Sequence, residues 1–352
     1  MVATRTQEDG DERDQHLVEQ SNGLLGAPRY AGGVEAIVPV DPRIPALAVI
    51  RDLGPAGVAS RLQVDLDSEG VEVLRHHPGS RCTLLVRAGQ RRVVLKAFKR
   101  DPTPLAELHA RLAAAGLASG TAPTVAPLVG LDVELRLAAF GWLAGASCTE
   151  LVMRGDGARA GSLAAEWLRA ERAASKLRGP SQTAELGLAR ARRWAAEIRA
   201  ADTDLGASVA GVFDRLAATR PLGSASPLLH GALSVNHVFD LGDGPGVIDL
   251  ERAGSGALEL DAGRFLGTLS RLAGERPELA GAAGEAAQAL RAGMGDLFDQ
   301  DSLAWYRALA LVQDAKFLCT RRPERWRQRS GLLLGEAAEA INSIIGRTRA
   351  EG

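Results

Sequence analysis

Short apolar runs broken by turn residues dominate the first part of the chain, and long helical periods dominate the rest. Val38 to Leu62 reads as a loop with one or two short helices. Residues 71–76 (VEVLRH) and 81–88 (RCTLLVRA) are strand-like, and His77-Pro78-Gly79-Ser80 between them is a turn signal. A second tight turn at 88–91 leads into RRVVLKAF (91–98), which is β-branched in its middle. These three strands form an antiparallel meander. Residues 103–117 predict a helix with Thr103 as N-cap, Pro104 at the first position and Gly116 closing it. Two more strands are expected in 122–135 and 136–143. Beyond Gly145 the pattern turns helical, with helices expected at 162–178, 182–201, 208–219, 259–273, 280–298, 302–319 and 330–347. One β-rich island at 227–250 interrupts them, an odd insertion in a helical lobe and the place to look for chemistry.

The 352 residues suit two packed lobes, each with its own core. The expected boundaries are an acidic disordered tail at 1–25, a first lobe at 26–139, a connection at 140–145 and a helical lobe at 146–352. Forty-two basic against 43 acidic residues leave a net charge of −1, which argues against a nucleic-acid coat or a polybasic membrane anchor. No apolar run approaches the ~20 residues of a membrane-spanning helix, and the N-terminus lacks the apolar core of a secretory signal. Cys82, Cys148 and Cys319 are far apart and odd in number, so a reducing cytoplasm is expected. Arginine supplies nearly all the positive charge. The lysines are Lys96, Lys99, Lys176 and Lys316, so a lysine at a chemically sensitive position carries extra weight.

In the island, Val235 to Leu241 and Gly246 to Leu250 flank Gly242-Asp243-Gly244; His230-Gly231 precedes the first segment and Asp249 ends the second. A carboxylate there suits a metal ligand or an acid–base group, or else Asp249 and Glu251 simply cap a turn. The wider pattern resembles the aminoglycoside phosphotransferase and choline-kinase-like small-molecule kinases. Those enzymes carry H-G-D-x-x-x-x-N and then I-D-[WFL]-[DE]-x-A-x-x-G-D-P-x-x-D-L. This chain has His230-Gly231-Ala232 running on to Asn236-His237, then Ile248-Asp249-Leu250-Glu251 running on to Asp261. RRVVLKAF is similar to that family's third strand, FGWLAGASC (140–148) to its hinge, and VLRHHPGSRCTLLVR (73–87) and RRPERW (321–326) to its maltokinase-like branch. The resemblance covers roughly residues 40–345 and implies an α+β, two-lobed, protein-kinase-like fold: a small antiparallel β lobe with one helix, and a larger helical lobe.

The same resemblance implies ATP or GTP as co-substrate, with Mg²⁺, bound between the lobes. Lys96 would reach the phosphates, Glu107 on the next helix would pair with Lys96, and the turn ending at Ser80 would cover the phosphates. Phe140 to Leu143, with Trp142, would face the base. Asp249 would bind the metal. His230 would pack the catalytic loop and Asp261 would accept its backbone N–H groups. Without that resemblance, Lys96 reads equally as a snorkelling strand lysine, Glu107 as a solvated helix glutamate, the turn ending at Ser80 as a plain hairpin turn and Asp261 as a helix N-terminal carboxylate.

Three positions depart from the pattern. The base Asp is Ala232, the metal-binding Asn falls at His237 (with Asn236 one position earlier as a substitute), and the G-D-P triplet is Gly256-Ala257-Leu258. Some macrolide-kinase-like relatives show His at that metal position. Alanine can neither accept a proton nor orient a hydroxyl. Three readings follow: an inactivated Asp→Ala variant, a natural pseudokinase serving as nucleotide-binding scaffold or regulator, or an enzyme using Glu251 or His237 as base. The implied acceptor is a hydroxyl on a small polar molecule such as a sugar, aminoglycoside or macrolide. A peptide hydroxyl, or a partner protein docked without nucleotide, stays open. RRPERWRQR (321–329) faces either a substrate anion or solvent.

Overall fold

The computed structural model describes residues 38–64, 70–88, 91–174, 176–222 and 228–351; the acidic segment 1–25 and the centre of the 88–91 turn lie outside them. The chain divides into two compact units, Met1–Ala144 and Gly145–Gly352.

The first unit opens with α1 (Pro45–Leu62), which breaks at Gly54, where φ is +67° and Pro55 follows. Proline cannot continue the hydrogen-bond ladder behind it, so two short helices replace one. Strands β1 (Gly70–His77), β2 (Arg81–Ala88) and β3 (Arg91–Phe98) form the expected meander. Helix α2 spans Thr103–Ala114. Strands β4 (Thr124–Val125), β5 (Leu128–Asp132) and β6 (Leu137–Gly141) follow, so the segment read as one strand at 122–135 is two. The antiparallel sheet has the order β1-β2-β3-β6-β5. Alternate residues Cys82, Leu84 and Val86 of β2 and Val93, Leu95 and Ala97 of β3 join Leu47, Ile50, Val58 and Leu62 of α1 in one core. Lys96, between Leu95 and Ala97, therefore projects from the opposite face of the sheet.

Thr103 is not the N-cap of α2; Pro102 holds that position and Asp101 accepts from both the Thr103 N–H, at 2.9 Å, and its hydroxyl, at 2.6 Å. The carboxylate is the stronger acceptor for the first turn's free donors.

In the second unit, β7 (Ala146–Ser147) leads into α3 (Cys148–Met153), a short helix closed by a Ser147–Glu150 capping box that sequence reading passed over. Helix α4 (Gly157–Ala173) begins five residues before the expected Ser162. Gly157 and Gly161 look like helix breakers, yet they let α4 pack closely on α8 (Ala280–Met294): a Cβ on Gly161 would lie 2.0 Å from the Ala286 carbonyl oxygen. After β8 (Ser181–Gln182) come α5 (Ala184–Ala201), capped by Thr183, and α6 (Thr203–Ala218), capped by Asp202. The island contributes β9 (Leu228–Leu229), β10 (Val238–Asp240) and β11 (Pro245–Val247). It is not isolated: β10 pairs with both β11 and β7, and β12 (Gly254–Gly256) pairs with β9 and β8. Helices α7 (Leu258–Glu275), α9 (Gln300–Arg321) and α10 (Trp326–Glu351) complete the unit. Arg264, Arg271 and Asp314 form a buried ion cluster between α7 and α9. Among the described residues, no helix is long and apolar enough to cross a membrane.

Candidate functional site

On the face of the first unit's sheet opposite α1, Lys96 pairs across strands with Thr83 and Ala138, and Phe140 lies diagonally on the same face. Lys96 is only 9% exposed, and its Nζ sits 5.4 Å from the centre of the Phe140 ring. Glu107, expected to face it, is exposed; the buried residues of α2 are Leu108, His109 and Leu112. The His109 ring packs 5.2 Å from Phe140, so the helix presents His109, not Glu107, to the face that carries Lys96. Burial, reinforced by the Lys96 charge, drives the His109 pKa down to about 4. Trp142 is partly exposed, with the Arg92 guanidinium 5.5 Å from its ring centre.

The 77–80 turn is fixed from outside the hairpin. Asp41 accepts from the Gly79 N–H at 2.5 Å and meets His76 Nε2 at 3.1 Å, while the Ser80 N–H bonds the His77 carbonyl at 3.0 Å. Burial pushes the Asp41 carboxyl up, but the Gly79 N–H and His76 outweigh it and hold it below its usual range. Gly79 has φ +69°, the left-handed region that glycine tolerates best. Asp41 escaped sequence reading because His76 and Gly79 lie more than thirty residues away.

In the second unit the loop 230–237 is held by buried groups. Asp261, in the first turn of α7, accepts from Gly231 N–H and Leu233 N–H, both at 3.0 Å. Glu171 of α4 accepts from the His230 N–H at 2.9 Å and from Trp167 Nε1 at 2.7 Å. His230 is fully buried; its Nδ1 accepts from the Ala232 N–H at 3.3 Å and its Nε2 lies 2.8 Å from the Ile248 carbonyl. That pattern assigns the proton to Nε2 and gives His230 a structural place. Gly231 has φ +76°, and a Cβ there would lie 2.1 Å from the Arg252 carbonyl oxygen, so glycine is required. Burial, with the Asp261 charge adding to it, raises the Glu171 carboxyl well above its usual range.

Asp249 follows β11 with φ +74°, an uncommon left-handed conformation for a residue with a side chain. Its Oδ2 lies 3.6 Å from His237 Nε2, and the His237 ring stacks on His230 with centres 5.0 Å apart and planes 13° from parallel. Asn236 is directed elsewhere: its Oδ1 accepts from the Thr149 hydroxyl at 2.6 Å. Glu251 occupies the one-turn helix after Asp249. Ala232 is buried and offers no polar side-chain atom. Ala257 takes the N-cap position of α7, again without a side-chain acceptor. Among the described residues, no three His, Cys, Asp or Glu side chains gather as a metal cluster. The second unit thus brings His230, Ala232, His237, Asp249 and Asp261 to one loop system, and the first unit brings Lys96 and Phe140 to one sheet face.

Comparison with curated proteins finds no match. Among solved structures, choline kinase LicA from Streptococcus pneumoniae is similar with a TM-score of 0.54 and 13% identity over 84% of this chain and 99% of that one. An aminoglycoside 2′-phosphotransferase in its GDP complex gives 0.55 and 14% over 80% and 95%. A choline/ethanolamine kinase family protein from Mesorhizobium loti gives 0.54 and 16% over 83% and 95%. At these identities the likeness establishes the fold, the mixed α+β kinase-like arrangement of a small antiparallel sheet and a larger helical part. The model of the phosphotransferase enzyme family matches residues 78–306, a span running from the Gly79 turn through Lys96 and the 230–261 loop system, and the chain belongs to that family.

Proposed function

We propose that the chain descends from enzymes that transfer a phosphoryl group from ATP or GTP to a hydroxyl of a small polar molecule, and that Ala232 leaves this chain impaired in the transfer itself. The observation that carries the reading is the 230–233 loop. Asp261, Glu171 and His230 hold it in place through four backbone N–H groups, although the residue it would present carries no functional group. Phosphoryl transfer asks the protein mainly for positioning and for charge against the phosphates. Lys96 would supply that charge, and Asp249, as a hard carboxylate, fits a magnesium ion. Mg²⁺ commonly takes only one or two protein carboxylates and completes its shell with phosphate oxygens and water, so a three-residue cluster is not needed. When bound, the ion would neutralise charge on the phosphates. His237 stands where the family pattern has its metal-binding Asn, and its nearness to Asp249 Oδ2 suits a role in orienting that carboxylate better than ligation of a hard ion. Structures of like fold are named for choline, aminoglycoside and glucosamine kinases, which supports a small hydroxylated acceptor.

A second reading, a nucleotide-binding pseudokinase that serves as scaffold or regulatory partner, is favoured by the coincidence of Ala232, His237 and Ala257 in one loop system. Two measurements separate them. Thermal melts with ATP or GTP, with and without Mg²⁺, should show stabilisation of about 2.7 kcal/mol at ~100 times the dissociation constant. Lys96→Ala should weaken that effect, and Asp249→Ala should remove its Mg²⁺ dependence; no shift with either nucleotide at millimolar concentration defeats both readings. Ala232→Asp should then raise transfer by ~10²-fold or more on an acceptor found by screening sugars, aminoglycosides and macrolides, with nucleotide affinity little changed. A reverted protein that binds nucleotide but transfers to no acceptor favours the scaffold.

A further inference from the structure

Away from the loop system, a cleft of about 480 Å³ opens in the second unit between the C-terminal part of α7 and the first half of α10. Ser270, where α7 enters it, comes nine residues after Asp261, about 13.5 Å along the helix at 1.5 Å per residue. Ala273, Leu318, Leu332 and Leu333 give the cleft apolar walls, and Arg271 and Arg329 also line it. Both guanidiniums converge on one carboxylate: Glu275 accepts from Arg271 Nη1 at 3.4 Å and from Arg329 Nη2 at 2.6 Å. The Arg271 side chain is only 7% exposed, and its Nε and Nη2 have no hydrogen-bond partner among the described residues. Arg329 Nε has none either. Asp314 Oδ2 lies 3.6 Å from Arg271 Nε, an ion pair beyond hydrogen-bond reach. Buried donors left unmade are costly, so two guanidiniums sharing Glu275 leave a place for a second oxygen acceptor. Gly274 and Gly335 line the same cleft, and a Cβ on either would meet no atom within 4 Å. A long side chain at either position would therefore occupy the cleft.

We propose that this cleft binds a small monocarboxylate with an apolar body, its carboxylate on Arg271 and Arg329 and its hydrocarbon against Leu318, Leu332 and Leu333. The planar fork of a guanidinium matches the two oxygens of a carboxylate. The leucine walls offer no polar partner and favour hydrocarbon, and the volume falls in the usual range for small-molecule sites. Glu336 and Glu339 also line the cleft, and Arg307 pairs with Glu336 at 2.7 Å. This acidic side disfavours a phosphate, which brings more negative charge than a carboxylate. Every group invoked belongs to the second unit and no nucleotide is involved, so the inference stands apart from the phosphoryl-transfer reading.

Ligand-detected NMR titration of the full chain tests this with 3-methylbutanoate and phenylacetate as probes. Both should bind with a dissociation constant of about 1 mM or tighter. The alcohol 3-methylbutan-1-ol lacks the charge and inorganic phosphate lacks the apolar body; each should bind at least about tenfold more weakly. Gly335→Leu fills the cleft and leaves both arginines in place. It should abolish binding without lowering the melting temperature, since leucine is the better helix former. Arg329→Gln should weaken binding about tenfold, the loss of one charged hydrogen bond. If either variant fails to fold, Gly274→Leu blocks the cleft from the α7 side and carries the same test. Absence of binding for both carboxylates at ~10 mM overturns the proposal. So does binding that survives Gly335→Leu or Arg329→Gln unchanged, and so does alcohol or phosphate binding as tight as that of the carboxylates.

Discussion

Acid should loosen the first unit through His109, and the amount can be worked out. Its pKa falls from 6.5 to about 4 because burial, and then the Lys96 charge, disfavour the imidazolium. The unfolded chain therefore takes up a proton near pH 6.5 that the folded one refuses until about pH 4. Stability linked to this group is intact above 6.5 and is lost as the pH falls toward 4. A shift of that size integrates to roughly 3 kcal/mol, of which about 2 kcal/mol goes between pH 7 and pH 5. Such a loss is a large fraction of ordinary domain stability. Urea unfolding of the unaltered protein and of His109→Phe at pH 7 and pH 5 isolates the effect, since other titrating groups are common to both. The variant should lose about 2 kcal/mol less than the unaltered protein over that interval. Parallel pH profiles would refute the reasoning and show that the ring is hydrated or protonated in the native state.

Glu171→Gln keeps both hydrogen bonds accepted by Oε1 but cannot ionise. Because the raised Glu171 pKa gives stability below 4.5 that is lost as pH rises, the variant should gain on the unaltered protein between pH 5 and pH 8; a constant difference in melting temperature would contradict the raised pKa. Ala257→Asp supplies the missing N-cap of α7 and should stabilise by about 1 kcal/mol, read as a rise in melting temperature that is absent for Ala257→Leu. Gly161→Val drives a side chain onto the Ala286 carbonyl and should cost about 3 kcal/mol or more in chemical unfolding; a loss below about 1 kcal/mol would mean that α4 and α8 can move apart freely. Leu95→Ala, in the core under α1, should cost about 2–5 kcal/mol by the same measurement, and a neutral result would displace α1 from that face.

The sequence by itself determined the elements whose signals are local. The β1–β3 meander is written in short β-branched runs around Pro78-Gly79, and the long helices of the second unit in their caps and apolar spacing. The loop system was legible because His230-Gly231 and Ile248-Asp249 resemble the paired motifs of a known family, and Ala232 could be seen as a departure from them. Tertiary structure alone decided the rest. Two-residue strands such as β7 and β8 have too few positions to show a period, so the completion of the island by β7 was invisible. The helix was expected to start at 162 rather than at Gly157, because the α8 backbone that Gly157 and Gly161 admit lies more than a hundred residues away. Asp41 bonds a turn some forty residues on, and Thr149 bonds Asn236 across 87 positions. Spacing put Glu107 near Lys96, but the turn of α2 on the sheet decided that His109 is the buried neighbour. A side chain's partner is set by which face of an element its neighbours cover, and only packing between distant segments fixes that face.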